Sequence, residues 1–102
     1  MKFQLNSAVY DDLREIMEYY DEAAADSSIA SNFYDEFRHY ADLAAMMPKS
    51  YLVYLDSPEK IRRVNFRRFP YHFLFRQIDK NTIRILVVRH DHRHPSYGLD
   101  RW

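Results

Sequence analysis

The sequence of 102 residues contains no cysteine, a single glycine and no net charge. The missing cysteine excludes a disulfide scaffold, a thiolate zinc site and a cysteine nucleophile, and it suits a reducing compartment. With Gly98 as the only glycine there is no phosphate-cradling glycine loop, which disfavours nucleotide hydrolysis. Long apolar runs are also missing. The longest aliphatic stretch, Ile85 to Val88, falls far short of a membrane span, and the opening MKFQLNSAVYDDLREI has no signal-peptide core. A cytoplasmic protein with no membrane partner is expected. What the chain does have is 47% hydrophobic and 17% aromatic residues, enough to bury one core in one domain over residues 1–102.

The zero net charge conceals a strong segregation. Residues 1–50 carry four basic side chains against ten acids, a balance of −6, and residues 51–102 carry eleven against five, a balance of +6. Four of the five histidines (His72, His90, His92 and His94) lie in the basic half, so mild acid would widen the difference.

Phe3 and Leu5 alternate with Lys2 and Gln4, as in a short half-buried strand. Asn6 or Ser7 then offers a helix cap, and Val9, Leu13, Ile16, Met17 and Tyr20 recur at helical spacing, with Asp11, Asp12, Glu15 and Glu18 on the other face. The segment ADSS at 25–28 breaks this helix. A second stripe runs through Ile29, Phe33, Phe37, Tyr40, Ala44 and Met47 until Pro48 stops it, which predicts a helical hairpin. Residues 51–55 suit either a strand or a packed loop. Three strands follow at Ile61 to Arg68, Tyr71 to Ile78 and Thr82 to His90, joined by links short enough for antiparallel pairing. In them Phe73 and Phe75 oppose Leu74, and Ile83, Ile85 and Val87 oppose Leu86 and Val88. The tail from Asp91 is expected to be irregular. The fold class is therefore α+β: a short N-terminal strand, an α-helical hairpin and a three-stranded antiparallel sheet.

Two groups of residues have chemical potential. Nine arginines of the second half (Arg62, Arg63, Arg67, Arg68, Arg76, Arg84, Arg89, Arg93 and Arg101) are interleaved with Phe66, Phe69, Tyr71, Phe73 and Tyr97. Guanidinium forks bind phosphates and aromatics stack on bases, but the same arginines would serve equally to solvate a sheet or to pair with helix acids. The second group is His90-x-His92-x-His94. In an extended chain these rings share a face, as a zinc or nickel site would require; without cysteine and on an irregular tail, no metal and no cofactor are expected. Metal-free RNA cleavage would use His90 or His92 for proton transfer, Arg67, Arg76 and Arg93 for the phosphate, and Tyr97 to stack or donate. Glu15, Glu18, Asp35 and Glu36 read as a solvated helical face.

The run Arg62 to Tyr71, the pair Phe75-Arg76, and the ending Ile85 to Pro95 with its V-x-H-x-x-R-x-P pattern resemble the RelE/ParE superfamily of type II toxins. Ala8, Asp12-Leu13, Ile16 and Tyr19-Tyr20 resemble that family's first helix, so the likeness extends from Phe3 to about Arg101. The resemblance implies a strand, a helical hairpin and an antiparallel sheet, and a partner antitoxin whose C-terminal segment wraps the toxin in a heteromeric complex. RelE-like members cleave mRNA on the ribosome; for them the catalytic set here would be His90, His92, Arg93 and Tyr97. ParE-like members poison DNA gyrase. Arg63, Arg67, Arg68, Arg76, Arg89 and Arg101 would meet the target or the antitoxin. A zero net charge and only Lys60 and Lys80 among the lysines after residue 50 favour the ParE-like, plasmid-stabilisation branch, because ribosomal RNA steers in positive molecules.

Overall fold

The computed structural model describes residues 2–23, 26 and 28–102. Strand β1 (Lys2–Leu5) leads into helix α1 (Ser7–Ala23), and α2 (Ser28–Met46) follows. A 3-10 turn (Pro48–Ser50) then precedes β2 (Val53–Leu55), β3 (Ile61–Asn65), β4 (Tyr71–Asp79) and β5 (Thr82–His90). Asn6 is the helix cap: its Oδ1 accepts the Ala8 N–H at 2.9 Å and its carbonyl accepts the Val9 N–H at 2.9 Å. The 25–28 break lies partly outside the described residues; within it, Asp26 Oδ1 accepts the Ser28 N–H at 2.9 Å at the start of α2.

The α+β order is as expected, but the sheet has five strands rather than three, in the order β1-β5-β4-β3-β2. β1 joins it parallel to β5, with Phe3 opposite Ile83 and Leu5 opposite Ile85. A parallel neighbour needs a long crossover, and the helical hairpin is part of it. Residues 53–55 supply the fifth strand at the other edge, antiparallel to β3. β3 ends at Asn65 and not at Arg68, because Phe66 turns into the helix-side core and the next two N–H groups leave the ladder for a side chain.

That side chain is Glu36. It does not belong to a solvated face: it is buried, and its Oε1 accepts the N–H groups of Arg67 (2.8 Å) and Arg68 (3.0 Å) while Oε2 meets Arg68 Nε at 3.2 Å. Glu36→Ala is expected to lose about 1–2 kcal/mol of unfolding free energy in urea titrations, since it strips a buried carboxylate cap from a part-exposed turn. An effect within experimental error would remove this role. Asp12 also leaves the polar face to which helical spacing assigns it, and is buried against the sheet.

Both helices cover one face of the sheet. Val9, Leu13 and Ile16 of α1 and Phe33, Phe37 and Ala41 of α2 pack with Phe73, Phe75, Ile83 and Ile85. Aromatic edges dominate this layer: the Phe33 ring meets Phe66, Phe69 and Tyr71 edge-on at 5.2, 5.3 and 5.4 Å. The other face is smaller. There Ile61, Leu74, Leu86 and Val87 are covered by Tyr54 and by Tyr97 and Leu99 of the tail.

Strand β5 reaches both layers through a β-bulge. Val87 lies opposite Leu74 and Ile85 opposite Phe75, so Leu86 is an extra residue without a counterpart. Leu86 and Val87 therefore face the same way. This corrects the simple alternation, which placed Val87 with Ile83 and Ile85. Beyond the bulge Val88 joins the helix-side core, while Arg89 points to the tail side.

Candidate functional site

β1 pairs with β5 only as far as Ile85. Past that point the polar groups of β5 need other partners, and side chains supply them. Asp12 Oδ2 accepts the Val88 N–H at 3.1 Å, and Arg101 Nη1 donates to the Leu86 carbonyl at 3.2 Å. The two side chains join in an ion pair at 2.6 and 3.2 Å that straps α1 to the tail. The strap is part of the fold, so Arg101 faces inward.

Arg89 is buried too, at 3% exposure, which a surface role as read from composition does not anticipate. Its guanidinium donates from Nη1 to the carbonyls of Pro95 and Tyr97, both at 2.8 Å. Nη2 donates to the Tyr54 hydroxyl at 2.9 Å, and Nε donates to His72 Nε2 at 2.8 Å. An arginine can only donate, so His72 Nε2 is the acceptor and the ring proton sits on Nδ1, which meets Asp91 Oδ1 at 2.8 Å. Asp91 also lies 3.6 Å from Arg63. A relay thus runs from Tyr54 through Arg89, His72 and Asp91 to Arg63, and it pins the tail to the sheet.

Burial holds the His72 pKa below its ordinary value, helped by Arg63 and Arg89 and opposed by Asp91. In the unfolded chain the ring titrates near about 6.5. Between the lowered folded value and that one, the unfolded state binds more protons, so stability rises with pH across the window. It is complete above about 6.5 and is lost as the pH falls toward the folded value. Urea titrations from neutral to mildly acidic pH are expected to show that loss, with a shallower slope in His72→Gln. An identical slope in the variant would assign the acid sensitivity to other groups.

Between α1, the end of β5 and the tail lies a cleft of about 250 Å³. Glu15, Ile16 and Tyr19 form its helical wall, His90 and Tyr71 its floor, and Arg93 and Tyr97 its tail wall. The bulge puts His90 here, one residue from the buried Arg89. His90 Nδ1 accepts the His92 N–H at 3.0 Å, which leaves Nε2 to carry the proton of the neutral ring. The Tyr71 ring meets His90 edge-on at 5.1 Å, and burial pushes the Tyr71 phenol above its ordinary value, so it remains a hydroxyl. Arg93 is exposed and stacks over the Tyr97 ring at 4.1 Å, with Arg101 5.3 Å from the same centroid.

Of the residues singled out from sequence, His90, Arg93 and Tyr97 share this cleft, and His92 lies beside it with its ring 5.2 Å from His90. The tail turns after His90, so the three histidines do not keep the common face of an extended strand. His94 Nδ1 is instead engaged with the Ser96 hydroxyl at 2.8 Å. Arg76 lies elsewhere, paired with Glu59 at 3.0 Å and 5.4 Å from the Trp102 ring. Arg67 and Arg68 border a separate open groove with Asp35, His39 and Tyr40. Sequence reasoning missed His72 and Asp12 as organisers; His72 gave the signal of a polar residue between the aromatic Tyr71 and Phe73, and Asp12, next to Asp11 on the polar face, gave none.

Among the described residues, no helix is long and apolar enough to cross a membrane. No protein-family model matches the chain, and no curated protein does. Among solved structures, a chain described as "Chromosomal ParDE TA system from P. aeruginosa" superposes with a TM-score of 0.74 over 88% of this chain and 95% of that one, at 16% identity. At that identity the likeness is one of architecture, and this chain has the α+β fold of that ParDE-system chain.

Proposed function

We propose that the chain is the toxin of a type II toxin–antitoxin module, acting in the ParE-like manner by binding DNA gyrase and neutralised by an antitoxin whose C-terminal segment wraps it. The observation that carries this reading is the make-up of the cleft. Metal-free RNA cleavage would need His90 or His92, Arg67, Arg76, Arg93 and Tyr97 around one phosphate, yet Arg67 and Arg76 line other surfaces. The carboxylate of Glu15 faces Arg93 across the cleft where a phosphate chain would lie, so its mixed charge suits a protein partner better than RNA. The shared fold with a ParDE-system chain supports membership of a toxin–antitoxin module.

Expression of the free chain is expected to arrest growth, co-expression of the antitoxin encoded beside it to relieve the arrest, and purified protein to inhibit gyrase supercoiling. Arg93→Ala, which removes an exposed cation from the cleft rim, is expected to weaken gyrase inhibition about tenfold. Growth arrest with unimpaired supercoiling and codon-linked cuts in ribosome-bound message would replace this reading with an mRNA interferase built on His90, His92, Arg93 and Tyr97. No arrest at all would leave a chain that binds an antitoxin without being toxic.

A further inference from the structure

The chain has only four lysines (Lys2, Lys49, Lys60 and Lys80), spread over nearly its whole length. The fold brings them to one end of the sheet. Lys80 sits in the β4–β5 turn, and Lys2 lies beside that turn, its N–H donating to the Asn81 carbonyl at 2.8 Å. Lys60 precedes β3, which runs antiparallel to β4, and so stands next to the end of β4. Lys49 lines two adjoining clefts, one shared with Lys60 and the other with Lys80, with Gln77 common to both. Among the described residues, none of these lysines has a carboxylate within 4.0 Å, although the chain has as many acids as bases. Glu59, the one acid among their lining residues, borders the Lys60 cleft and is held by Arg76.

The same end carries an unpartnered apolar stripe. Leu43, Met46 and Met47 follow one another on the last turn of α2 at helical spacing, and the Met47 N–H continues that turn to the Leu43 carbonyl at 3.1 Å. Met46 and Met47 are 69% and 63% exposed and border the cleft that contains Lys49 and Lys80. Exposed methionines beside unpaired lysines form an adaptable apolar strip with a positive margin. A nucleic acid would leave the strip unused, and neither cleft offers an exposed ring for stacking. Arg62, the one guanidinium in the clefts, already donates to the Tyr51 carbonyl at 2.7 Å.

We propose that this lysine-ringed end of the sheet is a docking surface for an acidic amphipathic helix of a partner protein, with its apolar face on Leu43, Met46 and Met47 and its carboxylates toward Lys49, Lys60 and Lys80. The His90–Arg93 cleft lies at the opposite end of β4, beside Tyr71, so both surfaces can be occupied at once. The surface rests on its own residues and stands whether or not the chain acts on gyrase.

The test uses the full chain with methyl-labelled methionine. The probe is a synthetic helical peptide with leucines at i, i+3, i+4 and i+7 and glutamates elsewhere; a scrambled peptide of equal composition, single-stranded RNA and phosphatidylserine vesicles are the controls. The Met46 and Met47 methyl signals are expected to shift with the amphipathic peptide while that of buried-face Met17 does not, and Lys49→Glu with Lys80→Glu to weaken binding about tenfold or more. These lysines are exposed, so the double variant keeps its fold, which circular dichroism checks. Failure of Met46 and Met47 to respond at millimolar peptide would overturn the proposal. So would equal binding of the scrambled peptide, or tighter binding of RNA or vesicles at the same methyls.

Discussion

Replacing Arg89 with methionine is expected to cost about 3–5 kcal/mol of stability and to free the tail from the sheet. Methionine fills much of the aliphatic volume, so the loss comes from polar groups. The Pro95 and Tyr97 carbonyls, the Tyr54 hydroxyl and His72 Nε2 all lose the donor they share, around a guanidinium that is itself buried. Arg89→Lys should recover part of the loss and no more, because one ammonium cannot span partners that a planar fork reaches from three nitrogens. Urea unfolding gives the energy, and limited proteolysis gives the location: cuts between His92 and Arg101 are expected in the variant at protease levels that leave the parent intact. A loss below about 1 kcal/mol, the value of one ordinary hydrogen bond, would show that the network holds nothing in place.

The second large effect is expected at Gly98. Its φ is +84°, a conformation that costs a side-chain-bearing residue free energy, and it lies flat against β5. A Cβ at this position would come 2.6 Å from the Val87 Cβ and 2.7 Å from its Cγ2, so sterics add to backbone strain. Gly98→Ala is expected to destabilise by about 2–4 kcal/mol, combining overpacking with the left-handed penalty. The two contributions separate in a double-mutant cycle with Val87→Gly, which removes the opposing Cβ. A coupling of about 1 kcal/mol or more in the relieving direction is expected, and strict additivity would exclude the clash.

The parts of this fold with simple periodicity were legible before any coordinates. The stripe Val9, Leu13, Ile16 and the stripe Phe33, Phe37, Ala44 are helical faces on one core, and β5 spans the residues that its β-branched run marks out. Less legible was anything decided by long-range geometry. Phe3 and Leu5 show a strand but not that it pairs in parallel with residues some eighty positions away. Asp12 and Glu36 sit at helical positions that read as solvated, and each is buried because main-chain N–H groups elsewhere in the chain lack a partner. For the candidate site, His90, Arg93 and Tyr97 were visible as a pattern and do meet in one cleft. Arg89 and Arg101 belong to the same pattern by composition, yet their guanidiniums are used up inside the protein. Charge segregation gave the right halves without revealing that lysines and the histidine–arginine pair occupy opposite ends.

The bulge at Leu86 makes strand geometry, rather than residue identity, decide which side chain meets the outside world. Every residue of β5 after it is one step out of simple alternation with those before it, so a regular strand that kept Leu86 would exchange the outlooks of Arg89 and His90, whereas deleting Leu86 would remove the bulge and leave both facing as they do. The bulge thus absorbs one residue of chain length locally and keeps the surface chemistry of the cleft apart from the anchor of the tail. Relatives of this chain should therefore keep the same cleft chemistry with or without the extra residue, provided the bulge comes and goes with it.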